Sequence, residues 1–244
     1  MQTRRPGLIV ALDVPSAACA QNIVAAVGDA AFCYKVGMQL YTAEGPKLVR
    51  DLVAAGRRVF LDLKYHDIPN TVAAAVAEAA RLGVSMLTVH VSGGSKMLRA
   101  ATEAAFSARP DLLVLGVTVL TSLTDHDLDK VGVPGGVEDQ VLRLAALALG
   151  NGCHGVIAPA RDTSRLRREL RDDFVIVTPG VRPLGTAAAD QARVMTPREA
   201  MAAGATHIVV GRPITEAPDP GAEARAILAE ISSEPHRSTA GRVQ

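Results

Sequence analysis

The 244-residue sequence contains no tryptophan, and aromatic residues make up only 3% of it. Flat platforms on which unpaired bases could stack are therefore scarce, which argues against a single-strand nucleic-acid binder. An excess of charge of one sign is also missing. Twenty-six Lys and Arg offset 25 Asp and Glu, leaving a formal +1, so no net field draws the chain to nucleic acid or to an anionic membrane. The basic residues are scattered, and RLRREL (165–170) reads as an exposed helix face. Cysteines are few: Cys19, Cys33 and Cys153 are odd in number and far apart. That pattern suits reduced core thiols in a cytosolic protein better than a disulfide framework or a zinc site. No apolar stretch reaches the roughly 18 residues of a membrane helix, and MQTRRPGLIV (1–10) lacks the apolar centre of a signal peptide. A soluble, cytoplasmic protein is expected. Linkers and low-complexity tracts are missing too. One domain is therefore expected over residues 1–231, with a polar, disordered tail over 232–244.

What the sequence does contain is alternation. Short apolar runs rich in β-branched residues recur: GLIVALDV (7–14), AFCYKVG (31–37), RVFLDLK (58–64), MLTVHVS (86–92), LLVLGVTVL (112–120), GVIAP (155–159), FVIVTPG (174–180) and HIVVGRP (207–213). Between them lie Ala-rich segments with helical periodicity and a closing glycine, such as TVAAAVAEAARLG (71–83) and VEDQVLRLAALALG (137–150). Strand and helix in unbroken succession imply a parallel sheet. Eight such units in one α/β domain point to a closed (β/α)8 TIM barrel. An open doubly wound sheet would want a glycine-rich turn after its first strand, and LDVPSA (12–17) is not one. The longest irregular segment, 121–136, is a candidate active-site loop.

Polar residues gather where these strands end. FLDLKYHDIPN (60–70) places Asp62, Lys64 and Asp67 within six positions at the end of the third run. Residues two apart share a strand face, so Asp62 and Lys64 point into the mouth while Leu61 and Leu63 point to the helices. Asp67 lies just beyond, before Pro69 opens the next helix. Asp13 ends the first run, Lys35 sits near the end of the second and His90 near the end of the fourth. Thr121 follows the fifth, Arg182 the seventh, and Gly211 and Arg212 close the eighth. Active sites of this barrel form at the C-terminal mouth, with phosphate held by the loops after the last two strands. Two lysines among three acids make an alternating ionic network, since buried charges need partners. A lysine held there as an ammonium donates protons rather than forming a Schiff base. Arg182 and Arg212, with the backbone at Gly180 and Gly211, suit phosphate oxygens. These residues describe an enzyme acting on a phosphorylated substrate, with a cationic acid beside an anionic reacting centre. His66 reads as a solvated turn residue, Cys153 and His154 as strand-flanking structure, and Met38 and Met97 as packing.

LDLKYHDIPNT (61–71) resembles the Asp-x-Lys-x-x-Asp-Ile-Pro-Asn-Thr signature of the orotidine 5′-phosphate decarboxylase family. ALDV (11–14), YKVG (34–37), TVLTS (118–122), TPGVRP (178–183), DQARVMTP (190–197) and VVGRPIT (209–215) agree in order, so the resemblance spans residues 7–231. HVSGG (90–94) departs mildly from the Ala or Gly often found after that histidine. The resemblance implies direct decarboxylation of orotidine 5′-monophosphate with no metal and no organic cofactor. It makes Lys64 the proton donor within the set Asp62, Lys64 and Asp67, and gives the ribose to Asp13 and Lys35. It assigns Thr121 to the pyrimidine edge, Gln191 to a bridge between pyrimidine and phosphate across a closed lid, and Pro179 to the side of the base. Arg182, Gly211 and Arg212 become the phosphate grip. Asp67, Ile68 and Thr71 are expected to enter the neighbouring subunit's site, making the active form a homodimer. A Mg²⁺-dependent hexulose-phosphate synthase-like lyase shares the Asp-x-Lys-x-x-Asp core and is the alternative.

Overall fold

The structure, a computed structural model, describes residues 7–170, 174–183 and 195–232. Eight parallel strands close on themselves in chain order. They are β1 (Gly7–Ala11), β2 (Cys33–Gly37), β3 (Val59–Tyr65), β4 (Met86–His90), β5 (Leu113–Val117), β6 (Gly155–Ile157), β7 (Val175–Thr178) and β8 (His207–Val210). β8 returns to pair with β1, from Gly7↔His207 to Val10↔Val210, which excludes the open sheet.

The helices around the barrel are α1 (Ala17–Val27), α2 (Met38–Ala54), α3 (Pro69–Arg81), α4 (Gly94–Ala108), α5 (Asp125–Lys130), α6 (Val137–Gly150), α7 (Thr163–Glu169), α8 (Pro197–Ala202), α9 (Arg212–Thr215) and α10 (Pro220–Ser232). Their starts follow local chemistry. The Ser16 hydroxyl accepts the Cys19 N–H at the head of α1, and Thr124 with Asp127 and Thr196 with Glu199 form reciprocal capping boxes. Pro69 begins α3, where a missing N–H costs nothing. In α2, Gly45 at φ 66° precedes Pro46 and kinks the helix.

Strand alternation divides the core in two. Ile9, Ala11, Cys33, Phe60, Met86, Leu115, Val175, Val177 and Val209 fill the barrel interior. Their neighbours in sequence, such as Val10, Leu61, Leu87 and Ile176, face outward into the larger layer beneath the helices. Burying each Val, Leu, Ile, Phe or Met among them contributes about 1.5–3 kcal/mol.

Most strands stop short of the apolar runs that announce them. β1 ends at Ala11 and β5 at Val117, because the remaining residues leave the ladder to form the mouth. Segment 121–136 is not wholly irregular, since α5 lies within it. RLRREL is more than a solvated face: Arg167 donates to the Gly204 and Phe174 carbonyls at 2.9 and 2.8 Å and lies over the Phe174 ring. Met97 is fully buried, as its reading as packing requires, but Met38 is 57% exposed. It is the first residue of a helix that begins directly at the end of β2, which leaves it on the rim. Cys33 and Cys153 are buried and Cys19 is exposed. Burial pushes the Cys153 thiol up to about 12 and raises that of Cys33 further, so both are held as inert thiols. Residues 233–244 lie outside the described residues.

Candidate active site

The register of the first four strands builds one end of the mouth. Ala11 pairs with Lys35, and Gly37 with Asp62. Asp13 is two residues beyond Ala11, and Thr88 is one beyond Leu87, the partner of Leu61. Asp13, Gly37, Asp62 and Thr88 therefore occupy one layer of inward-facing positions. Lys35 rises from the layer below into the gap that Gly37 leaves. A Cβ on Gly37 would lie 2.8 Å from Asp13 Oδ1 and 2.9 Å from Lys35 Nζ, so a side chain there would force the tips of the pair to move.

Lys35 Nζ donates to Asp13 Oδ1 at 2.9 Å and lies 3.7 Å from Asp62 Oδ2. Lys64 Nζ donates to Asp62 Oδ1 at 2.9 Å. The four charges thus alternate in a row: Asp13, Lys35, Asp62, Lys64. Burial varies along it. The Lys35 and Asp62 side chains are 10% and 13% exposed, against 27% for Lys64 and 54% for Asp13. The two inner members are compensated by each other and by the flanking pair, which is what buried charge requires.

Lys64 has φ 52°, the one positive φ outside glycine among the described residues. A lysine in this region stores strain of about 1–3 kcal/mol. Here the β3–β4 ladder is interrupted, with pairing lost between Leu61 and Tyr65. Thr88 fills the interruption. Its Oγ1 accepts the Lys64 N–H at 2.9 Å and donates to Asp62 Oδ1 at 3.0 Å.

Asp67 does not join the row. It is exposed at the rim, and its Oδ1 takes the N–H of Ile68 at 2.6 Å. The five-member network expected from sequence is therefore four-membered within one chain, because the backbone turns outward after Lys64 and carries Asp67 over the edge. Ile68, the residue before α3, is 66% exposed, and Thr71 lies exposed in the first turn of α3.

His66 is exposed, but its ring stacks on that of His90 at 5.3 Å with 22° between planes. His90 Nδ1 is 2.8 Å from Ser92 Oγ. Burial, with His66 and Lys64 nearby, holds the His90 imidazole below its ordinary range and so neutral. Across the mouth, Pro179 follows β7 directly, with Arg182 three residues on, and Gly211 and Arg212 follow β8. β7 and β8 are adjacent, so both arginines project from neighbouring loops at the same end of the barrel. The Arg182 N–H donates to the Met195 carbonyl at 3.1 Å, tying down the start of that loop. Thr121 is exposed, four residues past β5. Gln191 lies outside the described residues. His154 is structural, its Nδ1 accepting the Val114 N–H at 3.1 Å.

Among the described residues no group of three His, Cys, Asp or Glu side chains is arranged around a metal position, and no helix is long and apolar enough to cross a membrane. Sequence reasoning passed over Thr88. The signal was a hydroxyl inside MLTVHVS, on the same alternation as His90.

Residues 6–227 match the profile of the Orotidine 5'-phosphate decarboxylase / HUMPS family. The orotidine 5′-phosphate decarboxylase of Hydrogenovibrio crunogenus is 48% identical over 226 residues, covering 93% of this chain and 96% of the relative. That of Moorella thermoacetica is 51% identical over 230 residues, covering 92% and 91%. The crystal structure of orotidine 5′-phosphate decarboxylase from Lactobacillus acidophilus superposes with a TM-score of 0.85 at 38% identity, covering 94% of this chain and all of that one. With a profile spanning nearly its whole length and relatives near half identity across the same span, the chain belongs to the orotidine 5′-phosphate decarboxylase / HUMPS family.

Proposed function

We propose that this protein is a carboxy-lyase converting orotidine 5′-monophosphate to uridine 5′-monophosphate, the closing step of pyrimidine nucleotide synthesis, by direct decarboxylation without a metal or organic cofactor. The observation that carries the mechanism is the Asp62–Lys64 pair, an ammonium 2.9 Å from a carboxylate at the barrel mouth. Loss of carbon dioxide leaves an electron pair on the pyrimidine carbon. The Lys64 ammonium stabilises that developing charge and then delivers its proton to the same carbon. Asp62 holds the ammonium in place and, by like charge, disfavours the substrate carboxylate. One close charge pair at an effective dielectric near 20 is worth about 4 kcal/mol, whereas enzymes remove roughly 8–23 kcal/mol of barrier. The remainder is assigned to binding at a distance from the reacting carbon, which drives closure and excludes water. In this reading Arg182, Gly211 and Arg212 take the phosphate, Asp13 and Lys35 the ribose, Thr121 and Pro179 the base, and Gln191 bridges base and phosphate.

The active form in this reading is a soluble, cytoplasmic homodimer in which Asp67, Ile68 and Thr71 complete the partner's site. The exposure of Asp67 and Thr71 beside a 66% exposed Ile68 supports it, as does the row of four charges that leaves Asp67 out.

The competing reading within the family is a Mg²⁺-dependent lyase of the hexulose-phosphate type. It is disfavoured by what the acids already hold, because Asp13 and Asp62 each spend an oxygen on a lysine ammonium at 2.9 Å. One assay separates the two. Orotidine 5′-monophosphate with excess EDTA should lose its ultraviolet absorbance as carbon dioxide is released. A chain inert under those conditions, and active on a ketose phosphate only when Mg²⁺ is restored, would replace this proposal with the alternative.

A further inference from the structure

We infer that Thr88 is a positioning residue for the decarboxylation, locking the Lys64 ammonium to its own backbone. The inference rests on the decarboxylase reading above. Three hydrogen bonds make a closed circuit. The Lys64 N–H donates to Thr88 Oγ1 at 2.9 Å, the Thr88 hydroxyl donates to Asp62 Oδ1 at 3.0 Å, and Lys64 Nζ donates to that same oxygen at 2.9 Å. Both ends of Lys64 are therefore referred to one hydroxyl and one carboxylate oxygen. Thr88 is fully buried, so water does not compete for either bond.

The circuit explains why Lys64 tolerates φ 52°. Across the break in the β3–β4 ladder between Leu61 and Tyr65, the Lys64 N–H points at a side-chain oxygen. The hydroxyl supplies an acceptor where regular pairing is lost, and fixes the unusual backbone from which the long, otherwise mobile side chain springs. It also orders the carboxylate. With Oδ1 shared between Thr88 and Lys64, Oδ2 is the oxygen turned toward Lys35 at 3.7 Å. The hydrogen bonds of the Thr88 side chain run to Lys64 and Asp62, so it acts on the proton donor rather than on the substrate's grip. Orientation at this level is worth a great deal, since a misplacement of about 1 Å can cost about a hundredfold.

The test compares three variants. Thr88→Val keeps the shape and removes both hydrogen bonds, Thr88→Ser keeps the hydroxyl and removes a methyl, and Thr88→Ala removes both and stands in for valine should that variant not fold. Turnover is expressed per binding site, with sites counted by titration with uridine 5′-monophosphate, so that a lost folded fraction does not register as lost chemistry. Thr88→Val, or Thr88→Ala in its place, should lower turnover per site at least about tenfold while the affinity for uridine 5′-monophosphate stays within about threefold. Thr88→Ser should keep turnover within about threefold of wild type. Turnover per site unchanged in the variant lacking the hydroxyl would overturn the assignment, as would a serine variant as impaired as it. A wild-type protein inert on orotidine 5′-monophosphate would instead overturn the decarboxylase reading on which the inference stands.

Discussion

The two ends of the barrel treat buried polar groups in opposite ways. At the mouth, charges are multiplied and mutually compensated: Asp13, Lys35, Asp62 and Lys64 stand within 2.9–3.7 Å of their neighbours. At the other end an imidazole is sealed in near a guanidinium, a charge of the same sign as its own protonated form. His207, the first residue of β8, is fully buried. Its ring lies 4.6 Å from that of Phe32, over which the Arg58 guanidinium sits at 4.7 Å. Gly7 makes the room, since a Cβ there would come within 2.4 Å of the His207 ring. The contrast separates chemistry from stability along one axis of the fold. Groups at the mouth are paired with opposite charges, so removing one should injure function more than folding. The group at the bottom is kept neutral by desolvation, so changing it should move folding and leave function alone.

The largest effect expected at the mouth belongs to Lys64. Lys64→Ala should reduce turnover at least about a hundredfold, the low end of what a positioned proton donor contributes, with a melting temperature near wild type. Asp67→Ala should be similarly inactive if the acid serves the partner's site. The two inactive proteins then test that sharing directly. A two-fold interface is isologous, so each mixed dimer has one site carrying both lesions and one carrying neither. Equal amounts after subunit exchange should recover roughly a quarter of the wild-type activity. A mixture that stays as inactive as its parents after verified exchange would place Asp67 in service of its own barrel.

The phosphate side should respond less severely. Arg212→Ala should lower turnover at least about tenfold, about 1.4 kcal/mol, beyond any loss of affinity, if, as proposed, Arg212 grips the phosphate and that binding energy drives closure around the reacting carbon. The check is to compare orotidine with its 5′-phosphate as substrates for the wild type. Equal rates for the two would mean that the phosphate loops hold the substrate without helping the reaction.

The contrast between the ends was only half legible in the sequence. The barrel was readable because eight apolar runs and their intervening helical periods carry the period-2 and period-3.6 signals directly. The inward placement of Asp62 and Lys35 was readable because parity on a strand fixes the face. Parity says nothing of Asp67, which lies beyond the strand, and the left-handed φ of Lys64 that precedes the turn to the rim is announced by no residue type. Thr88 was passed over because one hydroxyl in an apolar strand is unremarkable until the register sets it level with Asp62. The bottom of the barrel left no motif at all. Gly7, Phe32, Arg58 and His207 are scattered along the chain and meet only when β8 closes on β1.

The smallest expected effect on activity, and the one that best isolates the bottom of the barrel, is at His207. Its Nδ1 lies 3.0 Å from Thr206 Oγ1, whose own hydroxyl donates to the Ile176 carbonyl at 2.9 Å. With that hydroxyl proton committed, Nδ1 must carry the imidazole proton, and Nε2 is left a buried acceptor without a partner among the described residues. Protonation would place a second N–H at Nε2 with no described residue to receive it, and a positive charge near Arg58. Burial first, and Arg58 second, accordingly depress the His207 pKa to about 4. The unfolded chain, at the ordinary value near 6.5, binds the proton more readily than the folded one. The sign follows: this contribution is fully present above pH 6.5 and is lost as pH falls toward 4, by about 3 kcal/mol over that window. His207→Gln removes the titration and leaves other groups in place. Urea unfolding of both proteins at pH 7.5 and near pH 4 should show wild type losing about 3 kcal/mol more than the variant, while turnover at pH 7.5 stays within about twofold. Parallel losses in the two proteins would show that the imidazole is not an acid-labile point of the fold, and a large fall in turnover would show that the two ends are coupled after all.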